Sequence, residues 1–150
     1  MTPFQQVQDF HRQFGLASRD APTTGPGLGA SEDQVSLRRR LVEEEVGELA
    51  DAVAAQDLVA VADALADIVY VALGTADLLG IPFDEVFAEV HRANMSKLGA
   101  DGRPVLRADG KVLKGPGYNP PDVAGVLAVH RHRPGGAEPD GTPAAGVVHG

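Results

Sequence analysis

Proline placement sets the outline of this chain. All 11 prolines lie at or before position 26 or at or after position 82, and only three glycines fall between position 30 and Gly80, the latter included. A proline inside a helix removes a backbone donor and clashes with the preceding turn. The middle third is therefore free to be continuously helical, and the two ends are not. The 150 residues suit one domain. The chain is 43% apolar but only 5% aromatic, with no Trp, so its core must be built from Leu, Val and Ala. The absence of cysteine excludes disulfides, thiolate zinc sites and cysteine nucleophiles together.

Apolar spacing at Phe4, Val7, Phe10 and Phe14 predicts a short amphipathic helix over residues 3–15. A loop follows at residues 21–29. Ser31 is a good N-cap for a helix running to about Gln56, and Asp57 for the next, which stops at Gly80 with Pro82 just beyond. Pro82 opens a fourth helix to about Leu98, which Gly99 terminates. Residues 103–114 read as a small hairpin around Asp109-Gly110, and residues 115–121 as a rigid clamp. A short helix is expected over residues 123–129. A single all-α domain is expected over residues 1–132, with a disordered tail over 133–150, rich in Pro, Gly and Ala.

The net charge of −8 is unevenly spread. Residues 41–91 contain 12 acidic side chains and no Lys or Arg, while the rest carries 13 basic against 9 acidic, a net +4. The acidic balance argues against a general nucleic-acid binder or an anionic-membrane binder. The first ten residues lack the basic and apolar regions of a signal peptide. The most apolar stretch, residues 58–81, carries Asp63, Asp67 and Asp77, which argue against a membrane span. A soluble cytoplasmic protein with no nucleic-acid or membrane partner is expected.

Glu44, Glu45 and Glu48 share an arc of about 100° on the second helix with Leu37 and Leu41. Val42, Val46, Leu49 and Val53 line the adjacent arc. Glu43 and Asp51 fall on the natural solvent face. An acidic run is ordinarily a solvated helix face, but three carboxylates beside an apolar stripe repel one another and require something positive. A hard divalent cation such as Mg²⁺, which takes oxygen ligands, meets that need. Residues 58–73 are apolar almost all round and predict a buried helix. Its two charges, Asp63 and Asp67, lie one turn apart. Either each caps a helix or pairs with a basic side chain, or both face the glutamates across a metal. An antiparallel pairing of the second and third helices would bring the two groups together. So apolar a third helix also calls for a partner helix, and a homodimer is expected.

The E-E-x-x-E element of Glu44, Glu45 and Glu48, followed by Asp67 in A-D-I-V-Y, resembles the MazG-like all-α nucleoside triphosphate pyrophosphohydrolases. Residues 90–98 (VHRANMSKL) and 111–121 (KVLKGPGYNPP) look like the small bacterial members active on dUTP. The resemblance spans residues 4–127. One position departs from it: the family's E-x-x-D places Glu where this chain has Ala64.

The resemblance implies a bundle of four to five helices, a dimeric four-helix core and an irregular C-terminal hairpin. It implies hydrolysis between the α and β phosphates of a (deoxy)nucleoside triphosphate, dUTP or another, as a house-cleaning activity. Mg²⁺ or Mn²⁺ would be held by Glu44, Glu45, Glu48, Asp67 and Asp63, with Glu44 or Glu45 orienting or deprotonating the attacking water. Lys97, Lys111 and Lys114, with Arg92, are the candidate phosphate contacts. Asn94 has a donor and an acceptor for a pyrimidine edge. Phe10, His11 and Tyr118 are candidate walls for the base, although Phe10 also suits a core position and His11 a surface one. The His130-Arg131-His132 run is weak as a metal site. Two other readings fit the same residues: phosphoribosyl-ATP pyrophosphohydrolase, and a catalytically silent helical dimer, which Ala64 favours. The expected homodimer leaves room for a higher oligomer.

Overall fold

The computed structural model describes residues 1–131; the expected tail and His132 lie outside them. Five helices follow one another: α1 (Pro3–Gln13), α2 (Glu32–Ala54), α3 (Leu58–Leu78), α4 (Phe83–Met95) and α5 (Val123–Arg131). The all-α architecture and every helix expected from the sequence are present. The helix starts follow local chemistry. Thr2 and Ser31 each form a capping box, with Gln5 and Gln34 respectively, and Pro3 occupies the first turn of α1. Asp57 accepts the N–H groups of Val59 and Ala60 and so caps α3.

The α2–α3 turn is only residues 55–57 and is closed by Gln56 in the left-handed region (φ 56°). A turn this short makes the two long helices antiparallel neighbours. Glycine is required at the end of α3. Gly80 has φ 66°, the Ile81 N–H bonds the Ala76 carbonyl, and a Cβ at position 80 would stand 2.1 Å from the Ala21 oxygen. That contact locks the 15–30 loop beneath α3.

α1 packs on α3 through Phe4, Val7 and His11. Phe4, Val7, Leu73 and Ala76 form the core, with Ile81 and Phe83 against it. The sequence had placed Phe10 and Phe14 on the same inward line as Phe4 and Val7. The bundle turns α1 instead so that His11 faces inward, and Phe10 and Phe14 stack outside it, ring centroids 4.3 Å apart.

The third helix is not buried throughout. Its second half is, through Leu73, Gly74, Ala76, Asp77 and Leu78. Its first half is bare: Leu58 and Val59 are each 80% exposed, and Leu65 and Val69 about half. The valines of α2 that were to line its apolar arc, Val46 and Val53, are likewise more than half exposed. α3 is long and apolar enough to cross a membrane by length and composition alone, but Asp77 at its buried end is bonded into the bundle.

Residues 96–122 form an arm on α4. Leu106 and Val112 make one antiparallel bridge, the trace of the expected hairpin. The Gly115 N–H bonds the Lys97 carbonyl, and Ser96 Oγ exchanges hydrogen bonds with the Asn119 backbone. Glu89 joins α4 to the start of α5. It receives a bidentate fork from Arg92 at 2.7 and 2.8 Å and the Asp122 N–H at 2.7 Å. Those donors hold its carboxyl down at about 2.

Candidate active site

The antiparallel α2–α3 pairing gathers the predicted carboxylates around Glu45. This side chain is partly buried, and its Oε2 is shielded from solvent with no hydrogen-bond partner. Its carboxyl is pushed above the ordinary range. Desolvation is the largest cause, followed by the charges of Glu48, Asp67, Glu44 and Asp63 in that order. All four are themselves exposed. Among the described residues none of the five accepts a hydrogen bond or an ion pair. The two aspartates therefore do not cap helices or pair with basic groups.

Their side chains do not stand as a finished metal cage. Among the described residues no group of three or more His, Asp or Glu is placed to hold an ion. The donor set nevertheless fits a hard divalent cation: it is all carboxylate oxygen, it lacks any counter-charge, and one of its oxygens is buried and orphaned.

Position 64 faces the seam. Ala64 is 3% exposed, whereas its neighbour Asp63 is exposed and contributes least to the repulsion on Glu45. Asp63 thus faces solvent beside the cluster, next to the buried position where the resemblance places a glutamate.

The expected base wall needs correction at His11. The residue is 1% exposed, with Nδ1 2.7 Å from Asp77 Oδ2 and Nε2 3.2 Å from an Arg38 nitrogen. A ring held on both sides inside the bundle cannot face a substrate. Helical spacing explains the placement, since positions 4, 7 and 11 form one line. Phe10 remains at the surface, 36% exposed, edge-on to Tyr70 with centroids 5.8 Å apart. Tyr70 is one turn beyond Asp67, so the Phe10, Phe14 and Tyr70 patch borders the carboxylates. Sequence reasoning missed Phe14 and Tyr70 as members of that patch.

The basic flank is held elsewhere. Lys97 Nζ donates to Asn94 Oδ1 at 2.7 Å, and Lys114 Nζ lies 4.5 Å over the Tyr118 ring. Lys111 is exposed on the hairpin. Arg92 is spent on Glu89 and the Pro120 carbonyl. The bonds that fasten this arm run to α4 and α5, and among the described residues none reaches the carboxylates. His130 sits 3.7 Å from Glu85, an ion-pair distance and not a metal site.

One polar group was not anticipated at all. Asp77, fully buried near the end of α3, takes His11 on one oxygen and Ser18 Oγ at 2.9 Å on the other. The available signal was an acidic residue in an apolar helix, which must find a donor, and the only histidine of α1.

Comparison with known proteins places this geometry. Residues 7–94, which contain both acidic helices and the buried His11–Asp77 pair, match the model of the phosphoribosyl-ATP pyrophosphohydrolase family. An uncharacterized protein of Acanthamoeba polyphaga mimivirus is 33% identical over 113 residues, 75% of this chain. The chain spans 42% of that relative's length. The matched segment covers more than half of the sequence and every carboxylate of the seam, and on that basis the chain belongs to the phosphoribosyl-ATP pyrophosphohydrolase family, within the MazG-like all-α NTP pyrophosphohydrolase superfamily.

Proposed function

We propose that this protein is a Mg²⁺-dependent pyrophosphohydrolase that cleaves a nucleoside triphosphate between the α and β phosphates, releasing the monophosphate and pyrophosphate. The observation that carries this reading is Glu45, an unpartnered and partly buried carboxylate amid four others. Such a cluster without a cation is self-repelling. With one it becomes an acceptor for a polyanion, because the cation bridges like charges. When bound, Mg²⁺ or Mn²⁺ supplies charge neutralisation and Lewis-acid polarisation of phosphoryl oxygens. Glu48 and Asp67, with Glu44 and Asp63, would hold it. Glu45, whose raised pKa suits proton transfer, orients or deprotonates the attacking water, with Glu44 the alternative. dUTP is the first nucleotide to test, on the strength of the arm's resemblance.

The arm and the bare apolar faces support a homodimer. Fully covering one exposed Val or Leu is worth roughly 1.5–3 kcal/mol, and α3 alone leaves Leu58, Val59, Leu65 and Val69 bare. A second chain on that face would also be the means of bringing Asn94, Lys97, Lys111, Lys114 and Tyr118 to a carboxylate cluster. Sedimentation velocity at micromolar concentration tests this: a dimer is expected, and a monomer overturns it.

The family match favours phosphoribosyl-ATP as the second substrate reading. A panel of dNTPs, NTPs and phosphoribosyl-ATP, assayed for pyrophosphate with and without Mg²⁺, separates the two. Binding of neither metal nor nucleotide by calorimetry would leave the silent-dimer reading.

A further inference from the structure

The Arg38 guanidinium lies beside the α2–α3 seam, half-buried and, among the described residues, without an ion-pair partner. Its Nη2 lies 3.2 Å from His11 Nε2, which is its one hydrogen bond among the described residues. An arginine offers five N–H donors and accepts nothing. His11 Nε2 must therefore accept from Arg38, and Nδ1 carries the hydrogen given to Asp77. Asp77 is fixed in turn by Ser18 Oγ, and its backbone carbonyl by the Arg19 N–H at 3.0 Å. The chain from Asp77 through His11 to Arg38 thus has one direction and ends on the guanidinium.

The helix beneath is shaped for it. A Cβ at Gly74 would stand 2.9 Å from Arg38 Nη1 and 3.1 Å from His11 Nε2. α3 carries no side chain where the guanidinium lies. Partial burial lowers the Arg38 pKa, and the Asp77 charge beyond His11 opposes that shift. Among the described residues no carboxylate forms an ion pair with it.

Arg38 is seven residues before Glu45. Two helical turns return it to the same face of α2, offset by about 20° and about 10 Å along the axis. A stripe that presents carboxylates at one level thus presents a forked cation two turns away. Guanidinium binds phosphate bidentately, and charge-assisted bonds of this kind are strong when partly dry.

We propose that Arg38 is a phosphate ligand of the site, holding the pyrophosphate end of the substrate, and that His11 and Asp77 are positioning residues that aim it. The assignment rests on the pyrophosphohydrolase reading above. It also gives His11 a role distinct from the base wall expected from the sequence.

The test is calorimetric titration of the full chain with inorganic pyrophosphate in Mg²⁺, alongside nucleotide kinetics. Arg38→Gln should weaken pyrophosphate binding about tenfold or more. It should raise KM by a similar factor, with a smaller fall in kcat. Arg38→Lys should recover part of the affinity. Asp77→Asn should raise KM several-fold with Arg38 intact. A folded Arg38→Gln protein that binds pyrophosphate like the wild type overturns the proposal. Phenylglyoxal labelling of the wild type, read by mass spectrometry, needs no variant. Saturating Mg-pyrophosphate should protect Arg38, and undiminished labelling at saturation also overturns it. If the wild type cleaves nucleotide but these results are negative, only the Arg38 assignment fails. If the wild type neither binds pyrophosphate nor cleaves any nucleotide, the parent reading fails with it.

Discussion

Glu45 and Glu89 are the same side chain put to opposite uses. Glu89 joins α4 to α5, takes a bidentate arginine and a backbone N–H, and is held down at about 2. Glu45 sits in the α2–α3 seam, takes nothing, and is pushed up by burial and four neighbouring carboxylates. One region has its charges paired within the chain. The other leaves them unpaired, which costs stability and keeps their lone pairs available. Carboxylates perturbed by burial and like charge are concentrated at functional sites.

The largest effect that would sharpen this contrast is on catalysis. Glu48→Gln removes a proposed metal ligand and should abolish metal-dependent pyrophosphate release, by at least a hundredfold in kcat/KM. Turnover that survives removes Glu48 from the ligand set. The matching change in the other region, Arg92→Met, should leave turnover within a few-fold and instead speed amide exchange in α5.

Ala64→Glu adds a carboxylate at a position that is 3% exposed. Without metal it should cost about 2–3 kcal/mol, read as a lower urea midpoint. Saturating Mg²⁺ or Mn²⁺ should return much of that loss, and activity should rise if the natural alanine weakens the site. An equal loss with and without metal would show that position 64 does not reach the cation.

Glu45→Gln should raise the Tm of the metal-free protein while removing activity, since it deletes the charge at the centre of the repulsion. A lowered Tm would mean that Glu45 has a stabilising partner.

The smallest effect is the dependence on pH, and its sign differs between the regions. The Glu45 pKa is raised in the folded state, so its contribution is fully present below the ordinary value of 4.5 and is lost as pH rises through the folded pKa. The Glu89 pKa is lowered, so its contribution is present above 4.5 and is lost as pH falls toward about 2. Segment-resolved amide exchange between pH 3 and 6 should show the α4–α5 junction loosening in acid while the seam tightens. Parallel behaviour would break the comparison.

Most of the helical frame was legible because its signals are local. Ser31, Asp57 and Gly80 mark boundaries by their own backbone chemistry, and the observed ends fall within about three residues of the expected ones. The five carboxylates were legible because helical periodicity alone brings Glu44, Glu45 and Glu48 together, and a three-residue turn leaves the next helix one way to lie. What escaped depends on the rotation of one helix against another. Whether Phe10 or His11 faces inward is a matter of about 100° on α1, decided by the need of buried Asp77 for a donor. The exposure of Leu58, Val59 and Leu65 also escaped, because an apolar helix does not declare which chain covers it. Lys97 and Lys114 were assigned to phosphate through the family resemblance, and where their arm lies against α4 was not legible from sequence.

The short turn at residues 55–57 has a kinetic consequence. Contacts between α2 and α3 are local along the chain, so this hairpin has little loop entropy to overcome and should be among the first long-helix pairs to form. Glu44, Glu45, Glu48, Asp63 and Asp67 must then approach one another early, before α1 docks. The folding barrier should therefore carry part of their repulsion, and divalent cations or raised ionic strength should accelerate refolding more than they slow unfolding.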